Sequence, residues 1–495
     1  MSSRAVLASL FVTVVTVLCL FGGPAAQGSD ADTIGATALQ QTDPTLTGAG
    51  VAIIQAEAPI ATNTFEVNPA YVGLSPSIFT YIDSSGSIAN SATFPNNVGL
   101  ESSHADAVAA CLTAIAPGIG CIDNYDADYY YSQVIASGRE PSSINSALHN
   151  AEIVNQSFIF TNTSTASANA IDQFYDFYAE KNNVLFISGA GNSVSPPQAP
   201  STCYNGICVN AISMSPATLG PTSDGRSKPD LTAPGNETSY STAEVSGAAA
   251  ILLQAASRGD GGTGTAGEAS DIRTLKALLL NGATKPAGWS HTDTAPLDPQ
   301  YGAGMVNVDL SWLELKAGNQ TVSASTPTGQ LEVPVNLRLA TGWDLGFLPN
   351  GTTTNHYFFT APTTGDASDS LTATIAWNVS EWSASDTAIL NNLDLALYDT
   401  TNPSSLVGIS DSTVDNVQQL YLTDLVPGHT YDLQVYDAAA RVNGGAETYG
   451  LAFSSAGQAA SAVPEPSSLV LFTGALGCGL AAMIRRRMNR RGERK

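Results

Sequence analysis

Residues 234–256 read PGNETSYSTAEVSGAAAILLQAA, and the Ala, Gly, Val, Ile and Leu that fill their second half predict a helix buried on every side. Ser239 stands at its mouth. A hydroxyl there has two readings. It can cap the helix, since Ser is among the preferred N-cap residues. It can instead be a nucleophile aimed out of a helix N-terminus, where backbone N–H groups favour developing negative charge.

Working outward, residues 33–312 alternate short apolar runs with small-residue helical stretches, the rhythm of an α/β domain with a parallel sheet. VAIIQA (51–56), EIVNQSFI (152–159), NVLFISGA (183–190) and VNAISM (209–214) are predicted strands. Residues 103–116, 165–181, 239–257 and 271–283 are predicted helices, and GDGGTGTAGEAS (259–270) a flexible surface loop. From 325 to 455 the pattern turns all-β: LTATIAWNV (371–379), LDLALYD (393–399) and TYDLQVYD (430–437) alternate apolar and polar residues between Gly, Pro, Asn and Asp. This block reads as a sandwich or jelly roll, with Trp377, Tyr398, Tyr431 and Tyr436 packing its core rather than binding ligand. Residues 456–462 are a linker.

Both ends carry targeting signals. Arg4, the apolar AVLASLFVTVVTVLCLF and the small-residue zone GGPAAQGSDA make residues 1–28 a signal peptide, so the chain is expected to be exported, to the cell surface or beyond. Residues 463–495 hold VPEPSS, an apolar run Leu469–Ile484 and a basic cluster; the run is short for a bilayer span. The formal charge is −24, and seven of the 19 basic residues lie in the last eleven positions, so the body is more acidic still. That charge argues against nucleic-acid or phosphate binding. Cys111/Cys121 and Cys203/Cys208 form two close couples, and local disulfide pairing is expected in an oxidising compartment. In CYNGIC the Asn205-Gly206 pair predicts a tight hairpin turn that brings Cys203 to Cys208. Zinc is the alternative, but neither spacing is that of a finger and no His sits nearby.

Nucleophilic acyl chemistry needs a hydroxyl, a base, a carboxylate that orients the base, and oxyanion donors. Of the five His, only His104 opens a small-residue helix, SSHADAVAACLTA. Such a helix can pack its backbone close to a sheet edge and present its first side chain at the surface.

Four segments, TGAGVAIIQAEAPI (47–60), SSHADAVAA (102–110), VLFISGAGN (184–192) and KPDLTAPGNETSYSTAEVSG (228–247), resemble in that order the signatures of subtilisin-like serine peptidases. LKALLLNGA and YGAGMVNVDLSW (301–312) resemble the segments that close that domain. The resemblance implies a subtilisin-like α/β domain over 33–312, with Ser239 as nucleophile, His104 as general base and Asn192 as side-chain oxyanion donor. Ser157, in VNQSF, matches a substrate-binding strand edge. Ungapped alignment puts Glu57 where the family has its catalytic Asp, and Glu serves that role in other Ser-His-acid triads. Further departures are Glu237 for a Gly, Ala243-Glu244 for Pro-His, and Asp106 for a Thr. Only about 20 residues separate the signal from the first strand, so no folding pro-domain is expected.

The β block resembles the jelly-roll or pre-peptidase-like domains attached to secreted peptidases. The VPEPSS tail resembles the bacterial PEP-CTERM sorting signal, which implies transient membrane association, processing and export; a plain membrane anchor is the alternative. The resemblance admits calcium at the acidic run DNYDADYYY (123–131), although no ligand geometry can be read from it and a solvated loop is the plainer reading. No cofactor is required and no metal ligand is assigned. The expected function is that of a secreted serine endopeptidase acting on protein or peptide substrates. The alternative is a catalytically inactive subtilase fold kept as a surface or matrix binding protein.

Overall fold

The computed structural model describes residues 27–455, leaving aside 91–93, 162, 194–195, 216, 331, 364–369, 381–388, 402–404 and 438–445. Nearly all of the signal peptide, the 456–462 linker and the whole sorting tail with its apolar run therefore lie outside the described residues. Among the described residues no helix is long and apolar enough to cross a membrane.

An eight-stranded sheet organises the first half. Across it run Leu231–Ala233, Ile207–Ala211, Leu185–Gly189, Ile153–Gln156, Ala52–Glu57, Cys121–Asp126, Phe79–Ile82 and Ile88–Asn90. All neighbours are parallel except the last pair. Most of these strands are buried on both faces, which is why they read as apolar runs rather than as alternations. The helix Thr238–Ser257 lies in the middle, its Ala and Gly residues buried as the sequence demands. Gly247 sets its distance from the helix Ser103–Ile115, because a Cβ there would come within 2.7 Å of Ile115 Cβ and 2.8 Å of the Leu112 carbonyl oxygen. Only a hydrogen fits.

The second half is an antiparallel sandwich, and its alternating pattern is accurate to the pleat. One sheet orders Ala324–Pro327, Thr353–Thr360, Thr430–Asp437, Leu393–Asp399 and Ser405–Ser410; the other Thr341–Leu348, Glu447–Ser454, Leu371–Trp377 and Val417–Leu422. Trp377 and Tyr431 are buried in its core, while Tyr398 and Tyr436 are half-buried. The two halves are packed as one unit. The helix Ile272–Asn281 lies flat on the second sheet, where a Cβ on Gly450 would stand 2.2 Å from the Arg273 carbonyl oxygen. Buried side chains cross the seam. Asp415 accepts from the Ser227 N–H at 2.7 Å and its hydroxyl at 3.1 Å. Asn205 brackets Val379, accepting its N–H at 2.8 Å and donating to its carbonyl at 3.0 Å.

Several sequence expectations are corrected. Residues 123–131 are no solvated loop. Cys121–Asp126 is an internal strand, and Tyr125, Tyr129 and Tyr130 form an aromatic cluster behind it. Its acids are committed to the fold: Asp123 accepts from the backbone N–H and Nδ1 of His149, and Asp126 accepts from the Asp128 and Tyr129 N–H groups.

CYNGIC is not a hairpin, because Ile207 already opens a strand held between two parallel neighbours. Asn205 is turned inward instead, its N–H donating to Asp176 at 2.7 Å. The four cysteines stand as thiols, not as the expected pairs. Cys111 sits on a helix and Cys121 on a strand. Burial pushes Cys111 and Cys208 up to about 12 and Cys121 to about 11, so none is a ready thiolate. The fourth predicted strand begins two residues early, at Ile207. The Gly-rich loop is partly ordered: Ala266–Ala269 is helical, and Asp260 accepts from Trp312 Nε1 at 2.7 Å.

Candidate active site

The strand Ala52–Glu57 ends on Glu57, whose side chain is buried. Its Oε2 lies 2.8 Å from His104 Nδ1. Gln55 shares that face of the strand, two residues back. From Nε2 it donates to Glu57 Oε1 at 2.8 Å and to the Ala105 carbonyl at 3.0 Å, fixing the carboxylate and the first turn of the His104 helix together. The glutamate's additional methylene is accommodated without turning the acid away from the ring. With Glu57 ionised, the bond needs a proton on Nδ1, which leaves the Nε2 lone pair as the basic site.

His104 is the second residue of its helix, behind the N-cap Ser102, whose hydroxyl accepts the Ala105 N–H at 3.3 Å. Its side chain keeps 25% of its surface in solvent. Burial alone would lower its pKa. Burial is the largest single influence, but the charge and hydrogen bond of Glu57 together with the charge of Glu237 outweigh it, and the imidazole is held above its ordinary value.

Ser239 is buried and is likewise the second residue of its helix. The N-cap is Glu237, with no side-chain capping bond, so capping is not what Ser239 does. Its carbonyl accepts from Ser157 Oγ at 2.8 Å, and its hydroxyl points to the Ser157 carbonyl oxygen at 3.5 Å. Among the described residues no hydrogen bond joins Ser239 Oγ to His104; such bonds are often long before substrate binds.

Three features bring the two residues to one place. Leu112 and Gly247, which meet, lie equally far along their helices from His104 and Ser239. One turn further, Ala116 and Ala250 both pack on Gly48. The helices therefore run side by side in the same direction with their N-termini level. Glu57 and Ser157, which hold the two, follow paired residues on adjacent parallel strands. Finally, the charge of Glu237, two residues before Ser239, is felt at the imidazole. This is the carboxyl end of a parallel sheet, where α/β folds place their sites.

Asn192 is exposed just beyond the strand Leu185–Gly189. Its Oδ1 accepts from the Thr238 N–H at 2.8 Å and the Thr238 hydroxyl at 2.9 Å. Two donors on the oxygen orient the amide and tie it to the residue before Ser239. Ser157 is buried, its hydroxyl committed to the Ser239 carbonyl while accepting from Asn155 Nδ2 at 3.1 Å. It supports the backbone of Ser239. Among the described residues no group of three or more His, Cys, Asp or Glu is arranged to hold a metal ion.

Sequence reasoning missed Gln55 and Thr238. The period-2 spacing of Gln55 from Glu57 was a usable signal, whereas the Thr238–Asn192 contact spans 46 residues and had none. It also took the departures singly. Asp106 is buried, accepts the Asn68 N–H at 2.6 Å, and is pushed to about 7 by burial with Glu101 and Glu57 nearby. Glu244 is buried against Asp30 of the N-terminal segment, burial raising its pKa far above the usual carboxylate range.

Residues 90–304 match the model of the Subtilase family, a span that holds His104, Asn192 and Ser239 but not Glu57. The match and the fold define a subtilase α/β domain followed by antiparallel β sheets. Solved structures similar to the chain include the self-cleaved protease domain of PatA, at 19% identity over 55% of this chain and 99% of that one, TM-score 0.38. MycP1 from Mycobacterium smegmatis is similar at 14% identity over 62% of this chain and 88% of that one, TM-score 0.37. Tripeptidyl peptidase 2 is similar at 11% identity over 76% of this chain and 41% of that one, TM-score 0.31. No curated protein matches the chain.

Proposed function

We propose that the protein is an exported serine endopeptidase that cleaves protein or peptide substrates through Ser239, His104 and Glu57. Ser239 Oγ attacks the peptide carbonyl as His104 Nε2 takes its proton. Asn192 Nδ2 and the Ser239 N–H receive the oxyanion, and His104 returns the proton to the leaving amine. Water then enters, His104 takes its proton, and the acyl-enzyme is hydrolysed. Glu57 holds the tautomer and stabilises the imidazolium without itself being protonated.

The observation that carries this reading is the 2.8 Å contact between Glu57 Oε2 and His104 Nδ1, with Gln55 locking the other carboxylate oxygen. The tail reading, transient membrane association followed by sorting and processing, goes with it. An inactive surface-binding protein is favoured by the hydroxyl of Ser239 turning to Ser157 and by the acid at 237. Fluorophosphonate labelling of the mature chain decides between them. Label on Ser239, lost in Ser239→Ala, is expected. An unlabelled, folded wild type establishes the inactive reading.

A further inference from the structure

The buried helix Thr238–Ser257 carries a single carboxyl group, Glu244, and it is 3% exposed. Its Oε2 is sealed from water and has no hydrogen-bond partner. The other oxygen meets the half-buried carboxyl of Asp30, on the short helix Gln27–Thr33. Two ionised carboxylates offer only acceptors, so this contact needs a proton. The more deeply buried acid keeps it: Glu244 donates to Asp30.

No cation relieves the pair, since among the described residues neither carboxyl feels a Lys, Arg or His. Cys111, a half-buried thiol on the helix Ser103–Ile115, is the other titratable group beside them. Asp32 is exposed, the helix Ala36–Thr42 carries no charge, and Asp309 stands off beside Gly35. His104, Asp106 and Glu237 lie further up the two long helices and are not felt by either acid.

The chain after Thr33 is fixed. Ile34, Ala36 and Leu39 are buried, and the Ile34 carbonyl accepts the Val308 N–H at 2.9 Å. Between them Gly35 has φ +79°, with Asn307 packed where a side chain would go. The helix Gln27–Thr33 thus hangs from an anchored corner and is held on its face by one shared proton.

We propose that the Glu244–Asp30 contact is a pH-sensitive latch: with its proton it holds the helix Gln27–Thr33 against the Ser239 helix, and without it the two like charges lift that helix about Gly35. Burial raises Glu244 far above the ordinary carboxylate value and raises Asp30 as well. Docking that depends on a raised acid is full below the ordinary value and is lost as pH rises through the raised one. The latch is closed in acid and opens toward alkali.

Hydrogen exchange of the mature chain, read by mass spectrometry over residues 30–34 and corrected for intrinsic rate, follows the latch from pH 5 to 10. Wild-type protection is expected to hold in acid and then to fall by up to about tenfold per pH unit, the slope for one proton. Glu244→Gln replaces the acid proton by an amide N–H that does not titrate in this range, so its protection is expected to stay flat. Asp30→Ala is expected to show the open state throughout. The strand Ala52–Glu57 serves as internal reference and should keep its protection in all three proteins. Flat wild-type protection overturns the latch, and so does an equal fall in Glu244→Gln. A fall shared by the reference strand is general unfolding and overturns it too. None of these readouts requires Ser239 to act on a substrate.

Discussion

The carboxyl edge of the parallel sheet and the seam against the β sandwich are built on opposite plans. At the sheet edge, two helix N-termini are held level and each functional side chain is aimed by one or two bonds: Gln55 on Glu57, Glu57 on His104, Thr238 on Asn192. His104 remains partly wet and Asn192 is exposed, which the proposed roles of both require. At the seam, nothing is left to meet. Asn205, Asp415, Asn416 and Gln419 cross it with buried hydrogen bonds to backbone or side chains, and Gly450 lets a helix lie directly on a strand. A site can be disarmed by deleting one bond with little loss of fold. A seam so shared fails as a whole.

The largest effect is expected from Glu57→Gln, which keeps the shape but removes the charge and the tautomer preference: a fall in kcat of roughly 10⁴, with thermal stability unchanged only at a pH above the raised imidazole pKa, read by initial rates and a melting curve. His104 should respond as well. Burial would then act without its main opposing charge, so the imidazole pKa falls and the acid limb of residual activity moves to lower pH. In the wild type the sign is opposite. The raised His104 must lose its proton to act as base, so activity drops as pH falls through that raised value. The pair's contribution to stability is full below the ordinary imidazole pKa and is lost as pH rises through the raised one. A Glu57→Gln enzyme of wild-type activity would make Glu57 a bystander and leave the edge without an acid.

Asn192→Ala comes next, with an expected loss of roughly 10²–10³ in kcat, the size of one oxyanion donor. Thr238→Val should reproduce part of it, since the amide then keeps the backbone N–H but loses the hydroxyl that orients it. If Asn192→Ala changes KM alone, the side chain binds substrate and does not stabilise the transition state.

The two plans also explain what could be read in advance. At the sheet edge, Ser239 and His104 could be picked out because each opens a helix of small residues within a continuous segment, whereas Glu57 and Asn192 came only through the resemblance to subtilisin-like peptidases. The sandwich strands were legible by alternation. The seam was not, because the contacts by which Asn205, Asp415 and Gly450 cross it are with residues more than 170 positions away, such as Val379, Ser227 and Arg273. The acidic run 123–131 misled for a related reason. Acids signal solvent only when they lack partners, and His149 and local backbone N–H groups supply them here. CYNGIC misled because a turn dipeptide outranked the strand that follows it, while tertiary demand took Asn205 inward.

At the seam, Gly450→Ala is expected to cost about 1–3 kcal/mol, the range for overpacking a close contact. The new Cβ meets the Arg273 backbone, not a side chain that could swing away. Urea unfolding followed by tryptophan fluorescence and by residual peptidase activity should show one transition, shifted equally in both. A sandwich that melts first, leaving activity behind, would mean the seam is a tether and not a shared core.

The smallest effect belongs to Lys276, on the helix that lies against the sandwich. It is buried, donates to the Tyr204 and Gly206 carbonyls at 2.8 Å each, and stands 3.4 Å from Asp230. Burial, only partly offset by Asp230, holds its amine down at about 8. The unfolded chain therefore binds more protons than the native one between about pH 8 and the ordinary lysine value near 10.4. Stability supplied at this position rises with pH across that window, by about 1 kcal/mol from pH 8 to 9. Lys276→Met removes the proton difference while keeping an unbranched stem, so the urea midpoints of wild type and variant should drift apart by that amount as the pH is raised. The sheet edge should ignore the change: the ratio of the two kcat/KM values stays flat over the same window. Parallel midpoints would mean that the lysine is as well solvated by its carbonyls as by water, and that the seam's polar core stores no pH dependence at all.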